Sequence, residues 1–404
     1  MSLLDMLLDR EQWEKFYEYK TSLVCPKQFS AQLRAFIDRE GYLPVCGRIE
    51  RGEAFPLPRK SVVSKMSSQK KRIVYTYPED ENTVLKLLTY LILRKYDGLF
   101  CDNLYSFRPG RTAKDAFRRV CRGARGAYSY KVDVSNYFNS VKIPRLLPVL
   151  RAALSDDGRL YGFLERLLTE EFVLDNGQRV AEEKGIMAGT PLASFYANLF
   201  LSELDRKFYE RGVLYARYSD DIIVFGETEH AVRAYSDEIK EYLYSVGLEV
   251  NPAKESFCAP EEGFTFLGFR YSSGVVDIAP ATVKKLKGKM RRKARGLLRW
   301  RERNGVDGQS AAKAFIRIFN RKLLDDPQDN ELTWSCWFFS VINTTESLRE
   351  IDRYAADCLR FLISGKRTKS RFNVRYEDLK RLGYRSLVHE YYAYCEKEKD
   401  ARTE

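Results

Sequence analysis

Two adjacent aspartates, Asp220 and Asp221, lie between two apolar runs in the segment from Val213 to Phe225. Apolar, β-favouring residues on both sides of a short polar turn predict a β-hairpin with both carboxylates at its tip. Like charges held close together raise each other's pKa unless a cation lies between them, so this pair favours a divalent-metal site. The alternative interpretation is an ordinary turn, because Asp is common in turns.

Two other Asp-Asp pairs, at 156–157 and 325–326, precede Gly158 and Pro327 and are typical of loops. A further acid, Asp133, ends an alternating run that predicts a strand, although a helix predicted to begin nearby also makes it a candidate N-cap. If the strand and the hairpin are neighbours in an antiparallel sheet, three carboxylates converge. Oxygen ligands without His or Cys suit Mg²⁺, and two such ions would stabilise the attacking and leaving oxygens of phosphoryl transfer.

Composition excludes several other kinds of site. The chain has 404 residues, 44% of them hydrophobic, which suits two or three lobes with buried cores. It has two histidines, and its eight cysteines are scattered without a C-x-x-C pair. Structural zinc and a disulfide framework are therefore disfavoured, and we expect a cytoplasmic location. No apolar run approaches the ~18 residues of a membrane span, and acids interrupt the apolar N-terminus, so we expect no signal peptide and no membrane association.

The net charge of +13 is concentrated in one segment, because residues 281–322 carry 15 Lys and Arg against two acids. Two helices are predicted there. The first has a basic face and, opposite it, an apolar stripe. The residues of the stripe are Val283, Leu286, Met290, Ala294 and Leu297. A basic excess confined to one segment indicates a polyanionic partner at that segment.

Three other stretches leave alternatives open. Lys70, Lys71 and Arg72 precede a β-favouring run and could hold phosphate, although such a run is more often a solvated strand edge. Arg108 and Arg111 flank a Pro-Gly pair and could contact a nucleic-acid backbone or belong to a capped turn. A glycine-containing loop at 185–191 precedes an apolar helix predicted over 192–208, and could bring backbone close to a ligand or simply turn. Residues 40–70 are punctuated by Gly, Pro and Ser and predict loops with short strands.

Six ordered motifs resemble those of reverse transcriptases of the bacterial group II intron and retron-like lineage. They are Phe107-Arg-Pro-Gly-Arg111, Asp133-Val-Ser-Asn-Tyr-Phe138, Gly185…Gly189-Thr-Pro…Ser194…Asn198, Tyr218-Ser-Asp-Asp221, Gly247-Leu…Asn251…Lys254 and Phe266-Leu-Gly268. The resemblance runs from about residue 65 to about residue 275. It implies an α+β, right-hand polymerase fold with fingers, an antiparallel-sheet palm and a helical, basic thumb.

The resemblance also implies a role for each matching residue. Asp133, Val134, Asp220 and Asp221 would bind two Mg²⁺ ions, and Lys254 would protonate the leaving pyrophosphate. Phe138 would be the steric gate that favours dNTPs over NTPs. The other nucleotide-binding residues would be Lys70, Lys71, Arg72 and Gly189. Contacts with template and primer would come from Tyr218, Phe266, Leu267, Gly268, Arg108, Arg111, Lys285, Lys289 and Arg292.

The implied organisation has an N-terminal helix and fingers over 1–125, a palm over 126–278, and a helical thumb and C-terminal region over 279–404. Finger helices would be inserted in the palm around 140–180. The implied reaction is RNA-directed synthesis of DNA from dNTPs on an RNA template. The sequence leaves room for a non-coding RNA, a protein partner or a second copy of the chain.

One departure from the family pattern concerns the loop before the apolar helix, where Met187-Ala188-Gly189 stands in place of the usual Pro-Gln-Gly. Template use, fidelity or product is therefore expected to be unorthodox. No HNH-like cluster or maturase-type extension is evident, nor is the Val-Thr-Gly signature of retron enzymes near Val275. By elimination, the chain is most similar to stand-alone reverse transcriptases associated with antiviral (phage) defence.

Two alternatives remain open. The first is a template-independent or protein-primed DNA polymerase on the same fold, for which the 26 tyrosines offer a priming hydroxyl. The second is a non-catalytic RNA-binding scaffold with a vestigial site. The retention of three mutually repelling acids argues against the scaffold.

Overall fold

The computed structural model describes residues 2–23, 25–64, 71–324 and 334–403. The chain forms two units, the first reaching to Glu262 and the second running from Gly263 onward. The helices and strands of the first unit are, in chain order, α1 (Arg10–Ser22), α2 (Lys27–Asp38), α3 (Tyr42–Glu50), β1 (Arg59–Ser64), β2 (Lys71–Thr76), α4 (Glu79–Lys95), α5 (Ala113–Gly123), β3 (Tyr128–Asp133), α6 (Tyr137–Ser140), α7 (Ile143–Ala153), α8 (Gly158–Thr169), β4 (Phe172–Asp175), β5 (Gln178–Ala181), α9 (Ala193–Phe200), α10 (Ser202–Glu210), β6 (Tyr215–Tyr218), β7 (Asp221–Gly226), α11 (Glu229–Ser245) and β8 (Ser256–Cys258).

A four-stranded antiparallel sheet in the order β6-β7-β3-β8 carries the predicted hairpin and the predicted Asp133 strand. Its apolar side chains, among them Val132, Ile222 and Val224, are buried. Helix α11 packs on β3 and β7. Because β3 and β7 run antiparallel, the end of β3 lies beside the start of β7, where the aspartates are found.

A second sheet of the first unit has the order β2-β1-β4-β5. Strand β2 is fastened to the loop before α9, because the Tyr75 N–H donates to the Ala188 carbonyl at 2.8 Å. That loop is also joined to helix α6, since the Ile186 N–H donates to the Phe138 carbonyl at 2.8 Å. The loop therefore ties the second sheet to the helix that follows the Asp133 strand.

The second unit contains a three-stranded antiparallel sheet in the order β11-β10-β9 and a set of helices. Its elements are β9 (Phe264–Phe266), β10 (Phe269–Ser272), β11 (Val275–Ile278), α12 (Pro280–Asn304), α13 (Gly308–Leu323), α14 (Trp334–Phe338), α15 (Glu346–Ser364), α16 (Tyr376–Arg381) and α17 (Leu387–Thr403). Helix α12 packs on α13 and α15. All five residues of its predicted apolar stripe are buried, so the interpretation of this helix is confirmed.

The predicted α+β class with antiparallel sheets is confirmed. Two local predictions were wrong. Residues 42–50, predicted as part of a loop region, form helix α3, and the single helix predicted over 192–208 is two helices, α9 and α10, that meet at Leu201. None of the helices in the described ranges combines the length and the apolar character needed to cross a bilayer.

Candidate active site

The two aspartates are positioned by a tight turn between β6 and β7. Tyr218 pairs with Asp221 across the hairpin, which leaves Ser219 and Asp220 as the turn residues. Ser219 has φ +60°, a left-handed conformation that is uncommon for a residue other than glycine. Backbone strain of this kind persists where the surroundings enforce it, and it is concentrated at functional sites.

Asp133 meets this turn from the neighbouring strand. Asp133 and Asp221 are directly paired in the β3–β7 register, and the Val134 N–H donates to the Asp220 carbonyl at 3.0 Å. Directly opposed residues in antiparallel strands have Cβ atoms roughly 4.5–5.5 Å apart. The structure therefore brings Asp133 together with two acids that lie nearly ninety positions further along the chain.

The acids share an electrostatically unfavourable environment. Burial, reinforced by the charges of Asp220 and Asp133, raises the pKa of Asp221 to about 6. Burial, and next the charge of Asp133, also raises the pKa of Asp220, while the charges of Lys254 and Arg72 oppose that rise. These carboxylates favour a nearby cation, because a cation would stabilise their charged form.

Asp133 itself is oriented by the segment that follows α11. The Asn251 side chain donates from Nδ2 to Asp133 Oδ1 at 3.3 Å, and its backbone N–H donates to the Asp133 carbonyl at 2.8 Å. The Lys254 ammonium contacts the other carboxylate oxygen, Oδ2. The structure thus places Lys254 against a predicted metal ligand, and Asn251 is a site residue to which the sequence analysis gave no role.

A buried polar network supports the turn from below. Arg217 is fully buried and forms a bidentate ion pair with Asp205, and it donates to the Ser219 carbonyl at 3.3 Å. Ser106 accepts from the Ser219 N–H at 2.9 Å and donates to the Asn198 side chain at 3.0 Å. This network was not predicted from the sequence. The sequence contained one sign of it, because Arg217 is a charged residue at the end of the apolar run 213–217 and would need a partner if buried.

Three of the predicted nucleotide-binding residues lie on β2, on α6 and in the loop before α9. Arg72 is exposed on β2, and its charge acts on Asp220. Phe138 is half-buried on α6, where its ring meets that of Phe107 edge-on with 6.5 Å between centroids. Gly189 has φ +101°, and a Cβ at this position would lie 3.0 Å from the Tyr75 carbonyl oxygen. Lys71 begins β2, whereas Lys70 lies outside the described residues.

A cavity of about 510 Å³ opens beside these residues, and Tyr218 and Gly189 contribute to its wall. The rest of its lining is rich in aromatic rings and cations, including Tyr90, Phe107, Lys86, Arg94 and Arg111. Aromatic rings that alternate with cations are typical of surfaces that bind single-stranded nucleic acid.

The two arginines of the Pro-Gly motif differ in their surroundings. Arg108 is buried, and its guanidinium is bonded to the Asp97 carboxylate and to the Cys101 carbonyl. Arg111 is bonded to Asp102 and reaches the wall of the cavity. Of the two roles left open for Arg108, a structural role in the turn fits better than contact with nucleic acid. Its hydrogen-bond donors are used inside the protein.

The remaining predicted template and primer residues belong to the second unit. Phe266 is buried at the end of β9, and Leu267 and Gly268 both have positive φ, of +50° and +89°. Lys285, Lys289 and Arg292 are exposed on helix α12. At about 100° per residue, these three lie on one face of the helix, away from the buried stripe.

The carboxylates are the type of ligand that Mg²⁺ prefers, but they do not form a complete set of protein ligands around an ion. Across the described ranges, no three Asp, Glu, His or Cys side chains converge closely enough to enclose a metal ion. Mg²⁺ in nucleotide-processing sites is held by one or two carboxylates together with substrate phosphates and water. Asp133 is buried, Asp220 and Asp221 are half-buried, and their hard oxygen donors are of the kind that such an ion requires.

Sequence comparison decides the family. The model of the reverse transcriptase (RNA-dependent DNA polymerase) family matches residues 59–271, just over half of the 404 residues. The chain belongs to this family. Family membership confirms the resemblance to reverse transcriptases.

The chain is also similar to two known proteins and to one solved structure. Protein YkfC of Escherichia coli K12 is 25% identical over 260 residues, which covers 54% of this chain and 68% of YkfC. The group II intron-encoded protein LtrA of Lactococcus lactis subsp. cremoris is 22% identical over 200 residues, 48% of this chain but 33% of LtrA. The chain therefore matches only about a third of the length of LtrA. Apo telomerase from Candida tropicalis aligns with a TM-score of 0.47 at 12% identity, over 81% of this chain and 69% of that chain.

Proposed function

We propose that this reverse transcriptase makes DNA from dNTPs on an RNA template by two-metal nucleotidyl transfer. The observation that carries the proposal is the meeting of Asp133 with Asp220 and Asp221, held by the β3–β7 register and the Val134–Asp220 hydrogen bond. A disused site has no physical reason to keep three carboxylates that repel each other. The three retained carboxylates therefore favour catalysis over the RNA-binding scaffold.

Each residue has a distinct task in the proposed reaction. Asp133, Asp220 and Asp221, with the Val134 carbonyl, would hold two Mg²⁺ ions. The chemistry that these ions supply when bound is stabilisation of the attacking and leaving oxygens. Lys254 holds a proton at Nζ, next to Asp133, and would deliver it to the leaving pyrophosphate.

The incoming nucleotide would be held by residues that frame the carboxylates. Arg72 would bind the triphosphate, as would Lys70 and Lys71. Phe138 would exclude a 2′-hydroxyl from the sugar pocket. Its ring is held in place by Phe107, and its carbonyl accepts a hydrogen bond from the loop at 185–191. Gly189 lets that loop approach β2 closely.

We assign the template strand to the aromatic and basic cavity beside Tyr218, and the template–primer duplex to the face formed by Lys285, Lys289 and Arg292. Phe266, Leu267 and Gly268 would contact the primer. The proposed domains are fingers over 1–125, palm over 126–278 and thumb with the C-terminal region over 279–404.

A primer-extension assay tests the proposed function. Purified protein, Mg²⁺ and labelled dNTPs are incubated with and without an RNA template and annealed primer, for wild type, Asp220→Ala and Asp237→Ala. Asp237 is an exposed aspartate on α11 and serves as the matched control. We expect template-dependent DNA from wild type and Asp237→Ala, and none from Asp220→Ala. If folded wild-type protein made no DNA product under any of these conditions, the result would support the scaffold instead.

The second candidate, a template-independent or protein-primed polymerase, is favoured by the loop at 185–191. Ala188 is half-buried and bonded to β2 through its carbonyl, and no amide side chain is present there to contact a template or an incoming base. DNA made without added RNA would select this candidate. DNA that stays attached to protein after denaturation would further indicate a protein primer.

We also propose that the enzyme acts in the cytoplasm in defence against phage, on the basis of its similarity to stand-alone enzymes of that kind. Phage plating on cells that express wild type or Asp220→Ala tests this role. Protection that requires Asp220 would support it, and equal plating on both strains would exclude it.

A further inference from the structure

A cavity of about 310 Å³ within the second unit is lined by four arginines. Arg291 and Arg295 project from helix α12, and Arg367 and Arg371 come from the segment that follows α15. One acid, Asp357 on α15, shares the lining. The cavity therefore carries an excess of positive charge, and guanidinium groups stay charged at any physiological pH.

Most of this charge is not neutralised by the protein. Arg371 lies 3.9 Å from the Asp357 carboxylate. Within the described ranges, neither Arg291 nor Arg295 has a carboxylate at ion-pair distance, and both are exposed. Like charges that surround one cavity repel each other, and an anion bound among them would remove that repulsion.

Aromatic rings complete the cavity. Tyr354 and Phe361 lie on the α15 side of the lining. The Arg367 guanidinium carbon is 5.0 Å from the centroid of the Phe361 ring. Guanidinium forks suit the geometry of phosphate oxygens, and aromatic rings in the wall of a cavity offer a stacking surface for a base. Both rings are half-buried. The combination suits a nucleotide unit better than a carboxylate-rich peptide, which would leave the rings unused.

This cavity is not on the helix face assigned above to the template–primer duplex. At about 100° per residue, Arg291 and Arg295 lie about 110° around α12 from the face of Lys285, Lys289 and Arg292. A rigid duplex lying on one face would not reach the other by the same contacts.

We propose that this arginine cavity binds a segment of single-stranded nucleic acid, separately from the template–primer duplex. The arginines would hold one or two phosphates, and a base would lie against Tyr354 or Phe361. Such a site would allow the protein to retain a strand of RNA or DNA while the palm acts on another. The proposal goes beyond polymerase activity and does not depend on it.

Binding of a labelled oligonucleotide to the full-length protein tests the proposal. Fluorescence anisotropy follows a 12-nucleotide single strand, as RNA and as DNA, in the presence of a saturating unlabelled template–primer hairpin. Variants are Arg291→Glu/Arg295→Glu, Tyr354→Ala, and the charge-matched control Lys313→Glu/Arg317→Glu on exposed positions of α13. Comparison of the RNA and DNA arms identifies which strand the cavity prefers.

We expect the arginine variant to weaken binding at least tenfold, and to reduce the slope of log K against log salt by about 1.4, for two single-strand phosphate contacts. Tyr354→Ala should weaken binding roughly fivefold or more, through lost stacking. The control should stay within twofold, and extension of a pre-annealed primer should be unchanged in all variants. Primer extension reports the proposed function separately, so its absence in wild type would leave the binding result interpretable.

Three results would overturn the proposal. An equal loss in the arginine variant and in the control would show general charge attraction. Binding of the labelled strand that is seen without the hairpin but lost in its presence would place the cavity on the duplex path. Competition by poly-glutamate as strong as that by an unlabelled oligonucleotide would indicate an acidic protein ligand.

Discussion

The guanidinium of Arg217 and the carboxylate of Asp205 are joined by two hydrogen bonds, 2.8 Å from Nε to Oδ1 and 2.5 Å from Nη2 to Oδ2, and both residues are buried. The remaining donors of Arg217 reach backbone carbonyls of Ala197, Asn198 and Ser219. The ion pair thus connects helices α9 and α10 to the turn that carries Asp220. Because Ser219 is held in a left-handed conformation, this support fixes the geometry of the turn that carries Asp220.

Loss of Arg217 should therefore be severe. Arg217→Met leaves the Asp205 carboxylate buried without its cation, with a hydrogen bond from the Tyr215 hydroxyl still in place. Breaking a buried ion pair in this way costs about 3–5 kcal/mol. Arg233→Met removes an exposed pair with Glu229, where a loss of about 0–1 kcal/mol is typical. Urea denaturation measures the free energy of unfolding of both variants. Similar losses in the two variants would mean that the buried pair has no special weight.

Ser106 is predicted to act on the rate through the turn. Ser106→Ala removes the acceptor of the Ser219 N–H, and the unsatisfied group costs about 1–3 kcal/mol. We expect kcat for primer extension to fall about tenfold, equivalent to ~1.4 kcal/mol, while KM for dNTP changes little. Ser202→Ala, which loses a bond to the Leu199 carbonyl away from the turn, is the matched control. An equal change in kcat for both variants would contradict a positioning role.

Local patterns were sufficient to predict the elements that carry the three acids. Alternation before Asp133, and apolar runs on both sides of Asp220-Asp221, predicted strands that the structure contains. The period of the buried residues likewise predicted α12. In each case the pattern is set by burial of one face, which is a property of consecutive residues.

Other features depend on contacts that a local pattern does not contain. Helix α3 includes Pro44 near its start, where proline is tolerated because the first helical N–H groups have no partner inside the helix. The sequence shows Arg217, but the choice of Asp205 as its partner is made by the packing of α10 against β6. Similarly, Asn251 acquires its role because its segment passes beside β3.

Phe138 is predicted to control sugar selectivity. Phe138→Ala removes the ring that would meet a 2′-hydroxyl, so incorporation of NTPs should become easier. We expect the ratio of kcat/KM for dNTP to that for NTP to fall roughly 10- to 100-fold, the range over which pocket shape discriminates small groups. Single-nucleotide incorporation with both substrates measures the ratio. Tyr128→Ala, on the far end of β3, should leave it unchanged, and an unchanged ratio in Phe138→Ala would exclude the gate.

Lys184 should make stability depend on pH. Burial lowers the pKa of Lys184 from 10.5 to about 8, and its ammonium contacts the Glu170 carbonyl. The folded state therefore carries an unfavourable buried charge below pH 8, and this penalty fades as the pH rises from 8 towards 10.5. Lys184→Met should stabilise the protein more at pH 7 than at pH 9.5 in urea denaturation. The exposed Lys142→Met is the control, and a pH-independent effect at Lys184 would contradict the prediction.

The loop at 185–191 carries Ala188 where the family pattern has glutamine, and replacing Ala188 with Gln tests whether this difference changes the DNA product. Ala188→Gln changes only the side chain, because the Ala188 carbonyl keeps its bond to Tyr75 and Gly189 keeps its approach to β2. A glutamine here could donate and accept hydrogen bonds beside the cavity that Tyr218 and Gly189 line. We expect the DNA products to shift towards faithful, template-dependent copies.

Sequencing of the products from wild type, Ala188→Gln and Ala181→Gln measures this shift. Ala181 is exposed at the end of β5 and receives the same change of side chain. A product spectrum that changes with Gln at 188 but not at 181 would assign the handling of the template to this loop. An unchanged product spectrum in Ala188→Gln would instead show that the missing amide does not matter. The template would then have to be positioned by contacts elsewhere, and the cavity beside Tyr218 is the next candidate.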